Sequence, residues 1–287
     1  MIPEISADML TIGLVLLAAV LHASWNALTK ASGDPLVNIT VVTGTGGLLA
    51  APFLFLVPFP APETWNWLLA SAVLHYAYQL ALVRSYQLGD LSQVYPIARG
   101  LAPLGVAMLA SVGAGELLAP TQVLGLVLAS IAIMVLAGLG DRGPSSRGAV
   151  AMALVTATLI GLYTYSDGRG VRSVAEAHFF IGWSFVLGSF PIALTTISIR
   201  RRAALVALRE GGLHAMAGGL MATIGYAIVL WAMSRTTMAS VASLRESSVL
   251  FAAIIGSQLL GESFGRRRIL AAFGLVVGLG LVQVGKA

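Results

Sequence analysis

Three charged side chains, Arg99, Arg245 and Glu246, lie well inside long apolar stretches of this 287-residue chain, away from their ends. An ionisable residue at the centre of a membrane span costs roughly 2.5–3.5 kcal/mol on insertion scales, so its presence needs a physical reason. A guanidinium group offers a planar fork of donors that matches a carboxylate, a phosphonate or a phosphate. We therefore predict that Arg99 and Arg245 bind the anionic group of a small molecule. The alternative is structural pairing, for example of Arg245 with Glu246 or with a carbonyl group.

Glu246 follows Arg245 directly and points about 100° away from it around a helix axis. Its carboxylate is placed to meet an ammonium group or to carry a proton. The three charges together therefore favour a zwitterion, such as an amino acid or an aminophosphonate, over a simple anion. Other charged residues, namely Glu116, Arg235 and Glu262, lie at the ends of apolar stretches, and we predict that they are solvated helix caps.

Two further apolar stretches carry polar side chains on one helical face. His22, Trp25 and Asn26 recur at the spacing i, i+3 and i+4, and a second set starts the same pattern at position 75. Tyr95 lies one turn before Arg99. For any single aromatic side chain, packing or an interfacial belt is the alternative to ligand contact. The predicted substrate-binding residues besides the arginines and Glu246 are His22, Trp25, Asn26, His75, Tyr78, Gln79, Tyr95, Tyr163 and Tyr226.

The elements that position these residues must be membrane-spanning helices. Hydrophobic residues make up 57% and charged residues 10% of the chain, against roughly 25% charged in an ordinary soluble domain. The mean hydropathy is +0.89. The net charge of +5 does not indicate nucleic-acid binding, because the basic residues lie mostly in short gaps between apolar stretches. The absence of cysteine excludes a thiolate nucleophile and a cysteine-ligated metal.

The lengths of the apolar stretches set the number of spans. A helix needs about 20 apolar residues to cross the hydrocarbon core of a bilayer. Ten stretches of this chain meet the requirement and leave no room for a water-soluble domain. We predict an all-α membrane protein whose ten transmembrane helices cover roughly 10–30, 37–57, 64–87, 92–113, 120–140, 147–167, 177–197, 212–234, 239–260 and 268–285.

The second half of the chain repeats the first at an offset that superimposes Arg99 on Arg245. The same offset superimposes Gly115-Glu116 on Gly261-Glu262, and both arginine and the Gly-Glu pair are rare in so apolar a chain. Two halves of five spans each, residues 1–143 and 144–287, have opposite orientations because five is odd. Inverted repeats place the substrate site of many secondary transporters near the midplane. We expect a cavity lined by spans one, three, four, six, eight and nine.

Short motifs accompany the candidate site residues in both halves. They are His22-Ala-Ser-Trp25-Asn26, Gly89-Asp-Leu-Ser92, Tyr95-Pro96-Ile-Ala-Arg99-Gly100 with Pro103, Gly115-Glu116, Leu244-Arg245-Glu246-Ser-Ser-Val-Leu-Phe251 and Gly261-Glu262. With these motifs the chain resembles the drug/metabolite transporter superfamily, EamA type, over nearly its whole length. The resemblance implies transport of small metabolites, including amino acids, through a central cavity, and it implies cytoplasmic termini. The loop arginines favour the opposite orientation, because most of them lie on the side away from the termini.

The sequence lacks the motifs of several other classes. It has no H-E-x-x-H zinc motif, no G-x-S-x-G nucleophile elbow and no P-loop, so ATP does not power transport through this chain. We predict a secondary transporter and not an enzyme, with no cofactor and no nucleic acid, in the cytoplasmic (inner) membrane of a bacterial-type cell. Its partners are a small-molecule substrate, the lipid bilayer and a coupling proton or ion, and it is a monomer or a homodimer. The alternatives are a channel, a structural subunit or an intramembrane enzyme.

Overall fold

Helices make up nearly all of the described chain. In this computed structural model the described residues are 7–29, 34–88, 91–137, 147–260 and 266–284, and they include no β-strand. A short 3-10 helix, Ala51–Phe55, follows the second α-helix. The α-helices are α1 (Ala7–Thr29), α2 (Pro35–Ala50), α3 (Pro62–Leu88), α4 (Leu91–Ala114), α5 (Pro120–Ala137), α6 (Arg147–Val171), α7 (Ala177–Met233), α8 (Met238–Arg245), α9 (Ser248–Leu260) and α10 (Arg266–Val284).

These helices make ten membrane crossings. Within the described residues, seven segments are long and apolar enough to span a bilayer, and α5 and α10 are shorter apolar helices. α3 has 27 residues and carries several polar side chains. α7 has 57 residues, which is too long for one crossing of a core about 30 Å thick, and it makes two crossings. The shorter helices α8 and α9 together make one crossing. The predicted all-α membrane protein with ten spans is therefore confirmed.

α7 crosses twice because it bends at Arg200, whose backbone angles of φ −129° and ψ 28° are not helical. We call residues 177–199 the first arm and residues 201–233 the second arm. The sequence predicted two spans over roughly 177–197 and 212–234, and the structure has spans at Ala177–Ala203 and Ala215–Met233. Helix continues between them because loss of apolarity does not end a helix. Alanine, leucine, arginine and glutamate, which fill most of this polar stretch, are strong helix formers.

The packing of the helices repeats across the two halves. In the first half, α3 and α4 both pack on α6 of the second half. The equivalent helices of the second half pack on α1 of the first half: the second arm of α7 corresponds to α3, and α8 with α9 corresponds to α4. α2 packs on α7 and α5 packs on α10, so equivalent spans also meet each other. This reciprocal exchange is the arrangement expected of two inverted five-helix repeats. It gathers α1, α3, α4, α6 and α8 around a common centre.

α5 and α10 approach so closely that glycine is required where they cross. A Cβ atom on Gly125 would lie 2.5 Å from the carbonyl oxygen of Gly278. A Cβ atom on Gly278 would lie 2.7 Å from the carbonyl oxygen of Gly125. Small residues allow membrane helices to associate through backbone contact. The two glycines therefore join the last helix of one half to the last helix of the other.

Candidate functional site

A central cavity of about 190 Å³ lies between the two halves. Its wall contains side chains of α1 to α4 from the first half and of α6 to α8 from the second half. The helical faces that the sequence singled out therefore do converge on one space. Nine of the twelve predicted substrate-binding residues are in this wall, namely His22, Trp25, His75, Tyr78, Gln79, Arg99, Tyr163, Tyr226 and Arg245.

α2 and the first arm of α7 form a part of the wall that the sequence analysis did not predict. Thr43 and Gly46 of α2 and Ser189 of α7 line the cavity there. A Cβ atom on Gly46 would lie 2.8 Å from Thr223 Oγ1, so glycine lets α2 approach the second arm of α7. The expected lining by spans one, three, four, six, eight and nine is incomplete, because spans two and seven contribute as well. Their small and hydroxyl side chains gave no distinctive sequence signal.

Three predicted site residues are not in the cavity wall as the structure describes it. Asn26 is turned to its own helix, where its Nδ2 donates to the carbonyl oxygen of His22 at 2.7 Å. Glu246 is buried behind the wall. The Tyr95 side chain lies outside the described residues, as does Glu262, one of the predicted helix caps.

Arg99 is paired with Glu246 across the two halves. Arg99 Nε lies 3.0 Å from Glu246 Oε2, and both side chains are almost fully buried. A second donor, Arg99 Nη2, contacts Ser248 Oγ at 3.2 Å. The pairing of Arg245 with Glu246, which the sequence offered as the structural alternative, is therefore wrong. Adjacent residues on a helix point in different directions, and Glu246 turns toward the other half of the protein.

Arg245 is the cation that remains available to a ligand. It is 4% exposed and lines the cavity. Within the described residues, no carboxylate lies within 4 Å of its guanidinium, and its buried Nε has no hydrogen-bond partner. A buried cation without a carboxylate partner attracts an anion more strongly than one in water would, because the surrounding medium screens it less.

Arg245 and Glu246 lie at a break in span nine. α8 ends at Arg245 and α9 begins at Ser248. No proline causes this break. A tight turn joins the two helices, in which the Leu244 carbonyl oxygen accepts from the Ser247 backbone N–H at 3.0 Å and from Ser247 Oγ at 2.7 Å. A helix C-terminus favours a cation and a helix N-terminus favours an anion. The break therefore stabilises Arg245 at the end of α8 and Glu246 at the start of α9.

Asp167 of α6 is a buried carboxylate that the sequence analysis missed. It is 0% exposed, it accepts a hydrogen bond from the Tyr226 hydroxyl, and its Oδ2 lies 3.4 Å from His75 Nε2. The sequence suggested that span six ends at residue 167, whereas α6 continues to Val171 and carries Asp167 inside the protein. The useful signal was its spacing of four residues from Tyr163, which places both on one helical face.

Aromatic rings enclose His75 on the cavity side of Asp167. The ring centroid of Tyr163 lies 4.1 Å from that of His75, and the centroid of Tyr226 lies 5.5 Å from it. Tyr78 contacts Tyr163 with a centroid separation of 5.2 Å. These rings displace water from one side of the cavity, so the electrostatic interactions of the neighbouring charges are strengthened there.

The helix ends on the side of the chain termini are tied together across the two halves. Glu116 Oε1 lies 2.7 Å from Arg172 Nη1, and Glu116 Oε2 accepts from the backbone N–H of Met238 at 2.9 Å. Arg169 donates to the Gly113 carbonyl oxygen. We call these five residues the terminal-side seal. Glu116 was predicted to be a solvated cap. That prediction was wrong, since its side chain is 8% exposed and it caps α8 from the other half of the chain.

No group of three or more histidine, aspartate or glutamate side chains that could hold a metal occurs in the described part of the chain. The Asp167 carboxylate instead faces the imidazole of His75, and the Glu246 carboxylate faces the guanidinium of Arg99.

Comparisons with known proteins agree with this architecture. The EamA-like transporter family matches the chain twice, over residues 9–138 and over residues 147–284. A solved structure, described only as the crystal structure of a protein, shares the fold with a TM-score of 0.77 and 17% identity over 98% of each chain. No curated protein sequence matched. The chain belongs to the EamA-like transporter family and is an integral, multi-pass membrane protein of the drug/metabolite transporter type.

Proposed function

We propose that this protein is a secondary transporter that moves a small anionic or zwitterionic metabolite by alternating access. Arg245 is the observation that carries the proposal, because it is a buried cation in the cavity wall with no carboxylate partner among the described residues. Its forked donors suit a carboxylate or a phosphonate. The substrate class is therefore an amino acid, an aminophosphonate or a related small acid.

The size of the cavity supports a small substrate. Its volume of about 190 Å³ falls below the roughly 300–1,000 Å³ of pockets that hold drug-sized ligands. The aromatic rings of Tyr78, Tyr163 and Tyr226 supply apolar contact for a short side chain or methyl group. A metabolite with a few carbon atoms and one acidic group fits these features.

The repeat and the terminal-side seal support alternating access. Rocking of two inverted halves about a central site is the common mode of such transporters. The seal joins the halves at one end of the bundle, so its contacts must break when the cavity opens to that side. We place the transporter in the cytoplasmic membrane of a bacterial-type cell, as a monomer or homodimer that needs no ATP.

A thermal-shift screen tests the substrate class. L-alanine, 2-aminoethylphosphonate and lactate should raise the apparent unfolding temperature of the purified protein, because a ligand that binds the folded state stabilises it by mass action. Ethanolamine, which has the ammonium group and no acidic group, should not. Arg245→Gln should abolish the shifts. Stabilisation by ethanolamine and by none of the acids would contradict the anion site.

Counterflow in reconstituted vesicles tests the transport mode. Vesicles loaded with an unlabelled ligand from the screen should accumulate the labelled ligand transiently, with saturable kinetics and without ATP. A flux that requires ATP would contradict the secondary mechanism, and ohmic single-channel currents would favour the channel alternative.

A further inference from the structure

The buried charges around the cavity balance before a substrate binds. Among the described residues, the buried charged side chains are Arg99, Asp167, Arg245 and Glu246. These are two cations and two carboxylates. A monoanion at Arg245 would add one negative charge to a region poor in water, where an uncompensated charge costs several kcal/mol. A zwitterion would bring its own compensating charge.

A proton on one of the two carboxylates would restore the balance, and their surroundings differ. Glu246 has a dedicated cation, since Arg99 Nε lies 3.0 Å from its Oε2. Asp167 contacts the neutral donors Tyr226 and Ser71, and no arginine lies within 4 Å of it in the described structure. Protonation of Glu246 would leave Arg99 without its counter-charge, whereas protonation of Asp167 breaks no ion pair with an arginine.

A path for the proton runs from the cavity through His75. This residue lines the cavity, and its Nε2 lies 3.4 Å from Asp167 Oδ2. Its Nδ1 has no hydrogen-bond partner among the described atoms, which leaves it able to accept a proton. One ring nitrogen of a neutral histidine accepts while the other donates. Nδ1 therefore takes the incoming proton, and Nε2 passes its own proton to Oδ2, which leaves histidine neutral and aspartate protonated.

We propose that Asp167, reached through His75, takes up one proton when a monoanionic substrate binds at Arg245, so that anion transport is proton symport. The inference rests on the proposed function of Arg245 as the anion site. Binding of the anion and of the proton then favour each other by the same factor, as linkage requires. A zwitterionic substrate binds at the same site without proton uptake.

The groups that face Asp167 support this assignment. α3 contributes His75, α7 contributes Tyr226, and α8 contributes Arg245, whose charge acts on Asp167 electrostatically. α4 also packs on α6, but its buried cation Arg99 is directed to Glu246. Arg245 is therefore the cation that Asp167 and an incoming anion share, and one positive charge cannot balance both.

Calorimetry with lactate and L-alanine tests the proposal, because the two molecules are nearly equal in size and differ by a hydroxyl in place of an ammonium group. Titration in buffers of different ionisation enthalpy gives the number of protons taken up per ligand bound. We expect about one proton per lactate and none per alanine in the wild-type protein. Asp167→Asn should still bind lactate and take up no proton. Asp34→Asn, which changes an aspartate far from the cavity, should behave as the wild type.

Other results of the calorimetry would show whether the anion site or the proton site is wrong. If lactate and alanine both fail to bind, the anion site at Arg245 is wrong and the proposed function fails with it. If lactate binds to the wild-type protein without proton uptake, the proton site is wrong and the anion site stands. If Glu246→Gln removes proton uptake and Asp167→Asn retains it, the proton resides on Glu246 and the proposal is overturned.

Tyr226→Phe keeps the test decisive if Asp167→Asn does not fold. It removes the hydrogen bond to the Asp167 carboxylate and leaves the carboxylate in place. In the wild type, lactate affinity should fall as the pH rises, by up to about tenfold per pH unit once Asp167 must take its proton from solution. Tyr226→Phe should move the pH at which this fall begins. A fall that begins at the same pH in both proteins would overturn the proposal.

Discussion

Replacing Arg99 and Arg245 by glutamine in turn should separate a structural arginine from a ligand-binding one. Arg99 lies 3.0 Å from Glu246, and the two side chains are 6% and 1% exposed. Loss of one partner of a buried ion pair leaves an uncompensated charge and destabilises a protein by about 3–5 kcal/mol. Arg99→Gln should therefore lower the unfolding temperature and the yield of folded protein.

Arg245→Gln should have the opposite profile, because Arg245 has no carboxylate within 4 Å in the described structure. Among the described residues, its loss breaks no ion pair within 4 Å, so the unfolding temperature should fall less than it does in Arg99→Gln. A hydrogen bond to a charged group contributes about 1.5–3 kcal/mol. Lactate and alanine should therefore bind roughly 10- to 100-fold more weakly, at 1.4 kcal/mol for each factor of ten.

Thermal unfolding and calorimetric titration of each variant give the two quantities. The double variant Arg99→Gln with Glu246→Gln is the matched control, because it removes both charges of the pair and should recover much of the stability lost in Arg99→Gln. The reasoning would be refuted if Arg245→Gln lost as much stability as Arg99→Gln, or if it bound both acids as tightly as the wild type.

Three further predictions concern the anion site, the seal and the α5–α10 contact. Arg245→Lys should bind lactate with a Kd between those of the wild type and Arg245→Gln, because lysine keeps the charge and loses the forked geometry; calorimetry measures this. Glu116→Gln weakens the terminal-side seal, so the cavity should open more often to the terminal side. A cysteine introduced by Ala222→Cys, at a cavity position in a chain without other cysteines, should then react faster with an impermeant thiol reagent added on that side. An unchanged labelling rate would argue against the seal as a gate. Gly278→Ala should lower stability by about 1–3 kcal/mol through overpacking against Gly125, whereas Gly280→Ala, whose Cβ would meet nothing within 4 Å, should be neutral in the same melting experiment.

Most of the fold could be predicted because apolar length and repeat spacing are properties of the sequence itself. The ten spans and their inverted halves required only the thickness of a bilayer and the superposition of Arg99 on Arg245. Helix ends in polar segments were less predictable. Hydropathy does not distinguish a polar helix from a loop, so the helical connection before Gly212 and the extension of α6 past Asp167 were missed.

The candidate site was predictable to the level of helical faces but not of partners. His22 and His75 each stood in a polar pattern of helical period, and the structure brings both to one cavity. The partner of Glu246 depends on which helix from the other half lies opposite span nine, and no local pattern contains that information. The sequence therefore did not predict that Arg99 contacts Glu246, although both Arg99 and Arg245 lie in the cavity wall as predicted.

The pairing of Arg99 with the start of α9 has a consequence for biosynthesis. The hydrogen bond from Arg99 to Ser248 joins residues that are 149 positions apart. At a translation rate of about 5–20 residues per second, α4 exists for roughly 7–30 seconds before α9 has been synthesised. During that time Arg99 must stay in the insertion machinery, at the lipid headgroups or beside a temporary partner. Slower translation between the two helices would lengthen this interval and expose the nascent chain to membrane quality-control proteases.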